Sequence, residues 1–214
     1  MPVGTVTRTI SCDGDTFPPG SGAAYTTDGA GVEKHVVGGV GATVAFPAGL
    51  TGTAAWGGST ATITLAAGHG LVNTDKVALF GAFGHRVGLI VSNALTTSVD
   101  VTNANGSGTS LPTTSTATIV LSKAVELADA TWDGSGMSML VVYCDQVASA
   151  DFIDGSGDSL ISGGAYTAVA AEPYYYLDGD PIRAAPFTDP VVSINCYNGS
   201  LTDAYMVIKA ILDT

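Results

Sequence analysis

The densest group of ionisable residues in this chain is a run of aspartates, Asp151, Asp154 and Asp158 in DFIDGSGD, with Asp145 just upstream. Hard cations such as calcium take several oxygen ligands from one short loop, and Asp-Gly-Ser-Gly-Asp supplies charge on flexible backbone. The spacing is not the D-x-D-x-D-G of an EF-hand, and no bidentate Glu follows. The run therefore reads first as a solvated surface loop over residues 151–164, with calcium at Asp151, Asp154 and Asp158 as the alternative. Asp178 and Asp180, either side of Gly179, present the same choice. His35, His69 and His85 are never two or four residues apart, so no two share a face for a metal. His69, inside GHGL, is placed to cap a turn through its ring nitrogens. Cys12, Cys144 and Cys196 are too few and too scattered for a disulfide framework or a metal knuckle. Cys144 and Cys196 sit in the apolar runs MLVVYC and VVSINC and read as buried thiols, a single bridge between them remaining open.

Paired carboxylates could hydrolyse a glycosidic bond, but Glu126 and Glu172 lack any supporting motif. Neither G-x-S-x-G, the phosphate-binding G-x-x-x-x-G-K-[ST] nor H-E-x-x-H occurs. Tyr174, Tyr175 and Tyr176 could stack on a sugar, yet consecutive residues of a strand alternate faces, so core plus interface is the better reading. These residues predict no enzyme and no cofactor.

The elements that must position such residues are short and β-rich. Alternating or apolar runs over 3–10, 61–65, 76–80, 86–92, 98–102, 117–121, 137–144, 191–197 and 204–212 predict strands, separated by Gly/Asp/Asn/Pro clusters. A further run over 35–46 is strand-like but interrupted by Gly38, Gly39 and Gly41. Residues 12–34 read as a turn-rich arm, and NGSLTD as the loop of a hairpin joining the last two strands. The best helix candidate, KAVELADA at 123–130, is short and equally compatible with a strand. The fold class is all-β, a β-sandwich or β-barrel with a small β-module in the middle of the chain and little helix. The organisation expected is an N-terminal arm with strands (1–53), the small module (54–122) and a C-terminal β domain (123–214) that the N-terminal strands could complete.

Only 12% of the 214 residues are charged, and the net charge is −12. That balance repels phosphate and argues against nucleic acid. No apolar run is long enough to span a bilayer, and MPVGTVTRTISCDGD lacks the apolar stretch of a secretory leader. A surface of small neutral groups suits a chain packed against neighbours better than a free monomer kept soluble by charge.

The segment GHGLVNTDKVALFGAFGHRVGLIVSN resembles a small β-module of tailed-phage virion proteins. In that module a strand is followed by His-Gly-Leu, a Gly-Asp-x-Val strand, a glycine turn and a strand ending in Asn or Ser. Gly68, His69, Gly70, Leu71, Asp75, Lys76, Val77, Gly81 and Asn93 match, within an expected module (54–122) of about a third of the chain, and Thr74 stands where the pattern usually has Gly. The resemblance implies a virion part and brings no catalytic residues.

Together these readings predict a capsid decoration or cement protein that stabilises a phage-type shell from outside, assembled in a host cytoplasm and located in the virion. Its partners would be the major capsid protein or other virion proteins and further copies of itself, a trimer being expected, with no nucleic acid and no membrane. Expected contact residues are Tyr205, Met206, Val207 and Ile208 on the apolar C-terminal strand, Pro18 and Pro19 in the arm, and Tyr174, Tyr175 and Tyr176. A tail-tube, baseplate or fibre component is the first alternative, and a carbohydrate-binding or adhesin module the second.

Overall fold

A computed structural model describes residues 10–12, 15–17, 31–38, 47–57, 59–82, 84–103, 117–127, 137–144, 146–160, 166–168, 174–177, 189–204 and 206–213. They form sixteen strands, and no helix occurs among them. In chain order the strands are β1 (Ile10–Cys12), β2 (Asp15–Phe17), β3 (Gly31–Gly38), β4 (Leu50–Gly57), β5 (Thr60–Thr64), β6 (Lys76–Gly81), β7 (Gly84–Ala94) and β8 (Ser98–Asn103). Then follow β9 (Ala117–Lys123), β10 (Val125–Leu127), β11 (Met137–Cys144), β12 (Ala148–Ile153), β13 (Tyr166–Ala168), β14 (Tyr174–Leu177), β15 (Ser193–Asn198) and β16 (Met206–Asp213). The chain is all-β.

Strands β4 to β9 close an antiparallel barrel in the order β4-β5-β8-β7-β6-β9, with β4 pairing back onto β9. Alternation fixes what faces inward. Ala54, Ala61, Ile63, Val99 and Val101 fill the barrel while their neighbours in sequence point out, as period-2 geometry requires. Strand β6 departs from that pattern. Val77 and Leu79 enter the barrel core, whereas Ala78 and Phe80 are equally buried on the other side, against Val87 and Tyr197. A strand that is apolar on every position needs cover on both faces, and here the rest of the chain supplies the second cover.

That cover is a two-sheet sandwich. One sheet runs β10-β15-β12-β13 and the other β14-β11-β16-β3. Leu140, Val142 and Cys144 of β11 and Met206 and Ile208 of β16 meet Ala150, Phe152, Ile194 and Cys196 of β12 and β15 in one core. The outer face of β12 and β15 is buried as well, since all six residues of each strand are inaccessible. This sheet is therefore a middle layer, with the sandwich core on one side and the barrel on the other. Strand β3 pairs with β16 over its full length, so a segment from the N-terminal third finishes the outer sheet.

Four expectations need correction. The last two strands do not form a hairpin: β15 pairs with β10 and β12, while β16 pairs with β11 and β3, so NGSLTD crosses between sheets. Residues 151–153 are not surface loop but the end of β12. The barrel has a sixth strand, β4, where no strand was expected, and 15–17 in the supposed arm pairs with 10–12. The run 123–130, open to helix or strand, contributes strand β10 and so takes the second of its two readings. The strand expected over 3–10 lies, except for Ile10, outside the described residues.

Candidate functional site

Three features could carry function: the His-Gly-Leu turn, one wall of the barrel, and the seam between barrel and sandwich.

In the turn, Gly68 and Gly70 take φ of +78° and +73°, values that only glycine adopts without strain, and so bracket His69 in a tight reversal. Nδ1 of His69 accepts the Leu71 amide at 3.1 Å, which places the ring proton on Nε2, 2.7 Å from the Leu95 carbonyl oxygen. One imidazole thus joins the β5–β6 connection to the β7–β8 turn. Asp75 repeats the device: Oδ2 accepts the Val72 amide at 2.9 Å and Oδ1 pairs with Lys123 Nζ at 2.8 Å. Thr74 has φ of +76°, where the module usually has glycine. The expected capping role of His69 is what the geometry shows, and it is structural.

The wall away from the sandwich is built from rows of cross-strand partners. Thr118, Thr53, Thr64 and Ser98 stand side by side across β9, β4, β5 and β8. The next outward row is Ala55, Thr62, Asp100 and Asn93. Asp100 is the one ionisable residue of these eight, and its charge is already engaged. Thr62 Oγ1 donates to Oδ1 at 2.6 Å and Asn93 Nδ2 to Oδ2 at 3.0 Å, and these two bonds hold its carboxyl below the ordinary range. The wall is therefore short-chained, hydroxyl-covered and nearly neutral.

At the seam, the register sets Asp151 opposite Asn195, with Glu126 on the far side of Asn195 and Ser149 opposite Tyr197. Asp151 and Asn195 are 1% and 2% exposed. Ser159 Oγ donates to Asp151 Oδ1 at 2.5 Å. Burial pushes the Asp151 carboxyl up to about 6, against smaller opposing effects of that bond and of Lys76. Lys76 itself lies 3.7 Å from Glu126 at the seam's rim, both side chains about half exposed. Asn195 Oδ1 is buried without a hydrogen-bond partner, and the Tyr197 hydroxyl faces the Gly88 backbone short of a well-formed bond. Burial raises that hydroxyl's pKa strongly. His85, whose ring meets Phe80 edge-on at 4.9 Å, leaves Nδ1 buried and unpaired; burial, then Arg86, lowers its pKa.

A polar clasp closes one end of this seam. Asn198 donates its amide to Ser122 Oγ at 2.8 Å and its side-chain Nδ2 to the carbonyls of Thr202 (2.7 Å) and Pro47 (3.1 Å), while Oδ1 accepts the Ser200 amide at 2.9 Å. Gly199 lies against the Phe80 ring so closely that a Cβ there would fall 2.5 Å from Cδ1.

The expected calcium ligands are not brought together. Asp151 faces the seam, whereas Asp154 Oδ1 is engaged by the Ser156 and Asp158 amides at 2.8 and 2.9 Å, closing its own turn. No group of three or more His, Cys, Asp or Glu residues fit for a metal occurs among the described residues. Of the expected contact residues, Met206 and Ile208 are corrected: they are 2% and 1% exposed inside the chain's own sandwich core, because β16 is a central strand. Val207 and Tyr174, Tyr175 and Tyr176 lie on β16 and β14, and nothing of their side chains is described; Tyr205, Pro18 and Pro19 fall outside the described residues. Cys144 and Cys196 are buried and joined in no disulfide. Asn195, Tyr197 and Asn198 were not singled out from sequence. Their one signal is the alternation of Ser193, Asn195 and Tyr197 in an otherwise apolar run.

No family model, no curated protein and no solved structure matches the chain.

Proposed function

We propose that this chain is a structural protein of a phage-type virion, a decoration or cement protein that docks on the outside of the capsid shell as a homo-oligomer. The observation that carries the reading is the barrel wall with its rows Thr118–Thr53–Thr64–Ser98 and Ala55–Thr62–Asp100–Asn93. Threonine, serine and alanine lose little side-chain entropy on being covered, and a face without lysine or glutamate avoids stripping water from charge. Such a face suits a broad contact with another protein surface, where charged residues are depleted at the centre. The net charge of −12 supports a position away from packaged genome. The resemblance of the His-Gly-Leu module to virion proteins supports the same class. Met206 and Ile208 no longer support self-association, since their burial is satisfied within one chain, so a trimer rests on composition alone.

The test is docking of the purified chain onto particles that lack it, followed by co-sedimentation. The double variant Thr53→Glu, Thr64→Glu places two like charges on adjacent strands of the wall. It should fold as the parent does and dock at least about tenfold more weakly. Undiminished docking by that variant, or recovery of the chain with tails instead of shells, overturns the reading.

A further inference from the structure

The seam sets a buried carboxyl opposite a buried amide whose oxygen has no donor. Asp151 and Asn195 are directly opposed on neighbouring antiparallel strands, on the face that the barrel covers. Opposed residues have their Cβ atoms about 4.5–5.5 Å apart, so these two short side chains meet. Asn195 Oδ1 is buried with no donor, and Asp151 offers a donor only when it carries a proton. We propose that in mild acid Asp151 is a neutral carboxylic acid in the folded protein and donates a hydrogen bond across the strand pair to Asn195 Oδ1, a bond lost when the acid ionises, which makes the joint between barrel and sandwich sensitive to pH.

The surroundings favour the neutral acid. Ser159 is the hydrogen-bond donor to the carboxyl. From β6, Lys76 attracts the charged form, but it stands 3.7 Å from Glu126 of β10, which competes for it. From β15, Cys196 and Tyr197 lie close enough to feel the Asp151 charge, and each is held protonated by its own burial. On β7, burial and then Arg86 lower the pKa of His85 and favour its neutral form; Arg86, the fixed cation of that strand, acts on His85, and the cation acting on the Asp151 carboxyl is Lys76. Strand β13 pairs with β12 only as far as Ala150. Burial as the largest influence on Asp151 agrees with this balance of neighbours.

The sign follows from linkage. A carboxyl that holds its proton more tightly when folded contributes stability that is full below its unfolded value of 3.8, is lost as pH rises toward about 6, and stays lost above that. At neutral pH the proton leaves to solvent, Asn195 Oδ1 again lacks a donor, and a bare charge remains between the layers. The joint is then weakest at neutral pH and tightest in mild acid.

The experiment follows the Asp151 carboxyl carbon by NMR through a pH titration, assigned by its loss in Asp151→Asn, together with urea unfolding of both proteins from pH 4 to 8. The expected midpoint is near 6. Asp151→Asn, whose amide N–H replaces the acid proton, should gain stability on the parent between pH 4 and 6 and hold that gain above it. Asn195→Ala removes the acceptor and should lower the midpoint by about half a unit or more. A midpoint near 4, parallel stability profiles for parent and Asp151→Asn, or an unmoved midpoint in Asn195→Ala overturns the proposal. So does stabilisation of the parent, and not of Asp151→Asn, by millimolar calcium at pH 8, which would show a cation in the proton's place. Should both variants fail to fold, the parent's titration alone decides.

Discussion

His69 Nε2 lies 2.7 Å from the carbonyl oxygen of Leu95, so one side chain ties together two turns at the same end of the barrel. With Nδ1 occupied by the Leu71 amide, both ring nitrogens are used, and no other side chain of similar size offers a donor and an acceptor on opposite edges. His69→Ala leaves the Leu71 amide and the Leu95 carbonyl to water. It should cost about 1–2 kcal/mol in urea unfolding without changing the strand content seen by circular dichroism.

Thr74 tests the neighbouring turn from the opposite direction. A β-branched residue at φ +76° is strained by about 1–2 kcal/mol, and the amide of Thr74 is held there by a 2.8 Å bond to the Val91 carbonyl. Thr74→Gly removes the strain but adds freedom to the unfolded chain, so the net gain expected is about 1 kcal/mol, read as a melting temperature several degrees higher.

Gly199 and Phe80 set the closeness of barrel and sandwich. Gly199→Ala drives a methyl into the Phe80 ring and should destabilise by about 2 kcal/mol. Shortening the ring side in the double variant Gly199→Ala, Phe80→Leu should recover part of that loss. A purely additive pair would show that the two residues do not press on each other.

The thiols of Cys144 and Cys196 are fully buried in the sandwich core, and burial pushes the Cys196 thiol far up. Alkylation at pH 8 should therefore label neither residue in the folded protein and both in urea, as mass spectrometry of the two peptides would record.

Much of the fold was legible because buried positions are apolar, in alternation where one face is covered and in unbroken runs where both are. Lys76–Gly81, Ser98–Asn103 and Met137–Cys144 were recognised to within a residue or two from their apolar positions. Strand β4 was not, because its inward residues include Gly52 and Ala54: where the barrel wall is tight, a Cβ on Gly52 would fall 2.8 Å from Leu65, and residues that small carry no hydrophobic signal. The end of strand β12, residues 151–153, was misread as loop because Asp151 looks solvated. It faces a second layer of the same chain, which no local pattern records. The β15–β16 connection has hairpin length, yet each strand takes partners from residues far away in sequence, so loop length alone could not decide. Of the candidate sites, the His69 turn was legible because its two glycines and its bond to the Leu71 amide are local. The Asp151–Asn195 pair joins two segments more than forty residues apart and becomes visible only in register.

The central claim, that the chain is an external component of a capsid shell, is tested most directly by a cryo-electron microscopy reconstruction of the particle that carries it. The account predicts symmetric density on the outer surface, several copies in contact, with the β4–β5 wall and its Thr53–Thr64 row turned toward the shell. Density confined to the tail, or a purified particle from which the chain is absent, would contradict it.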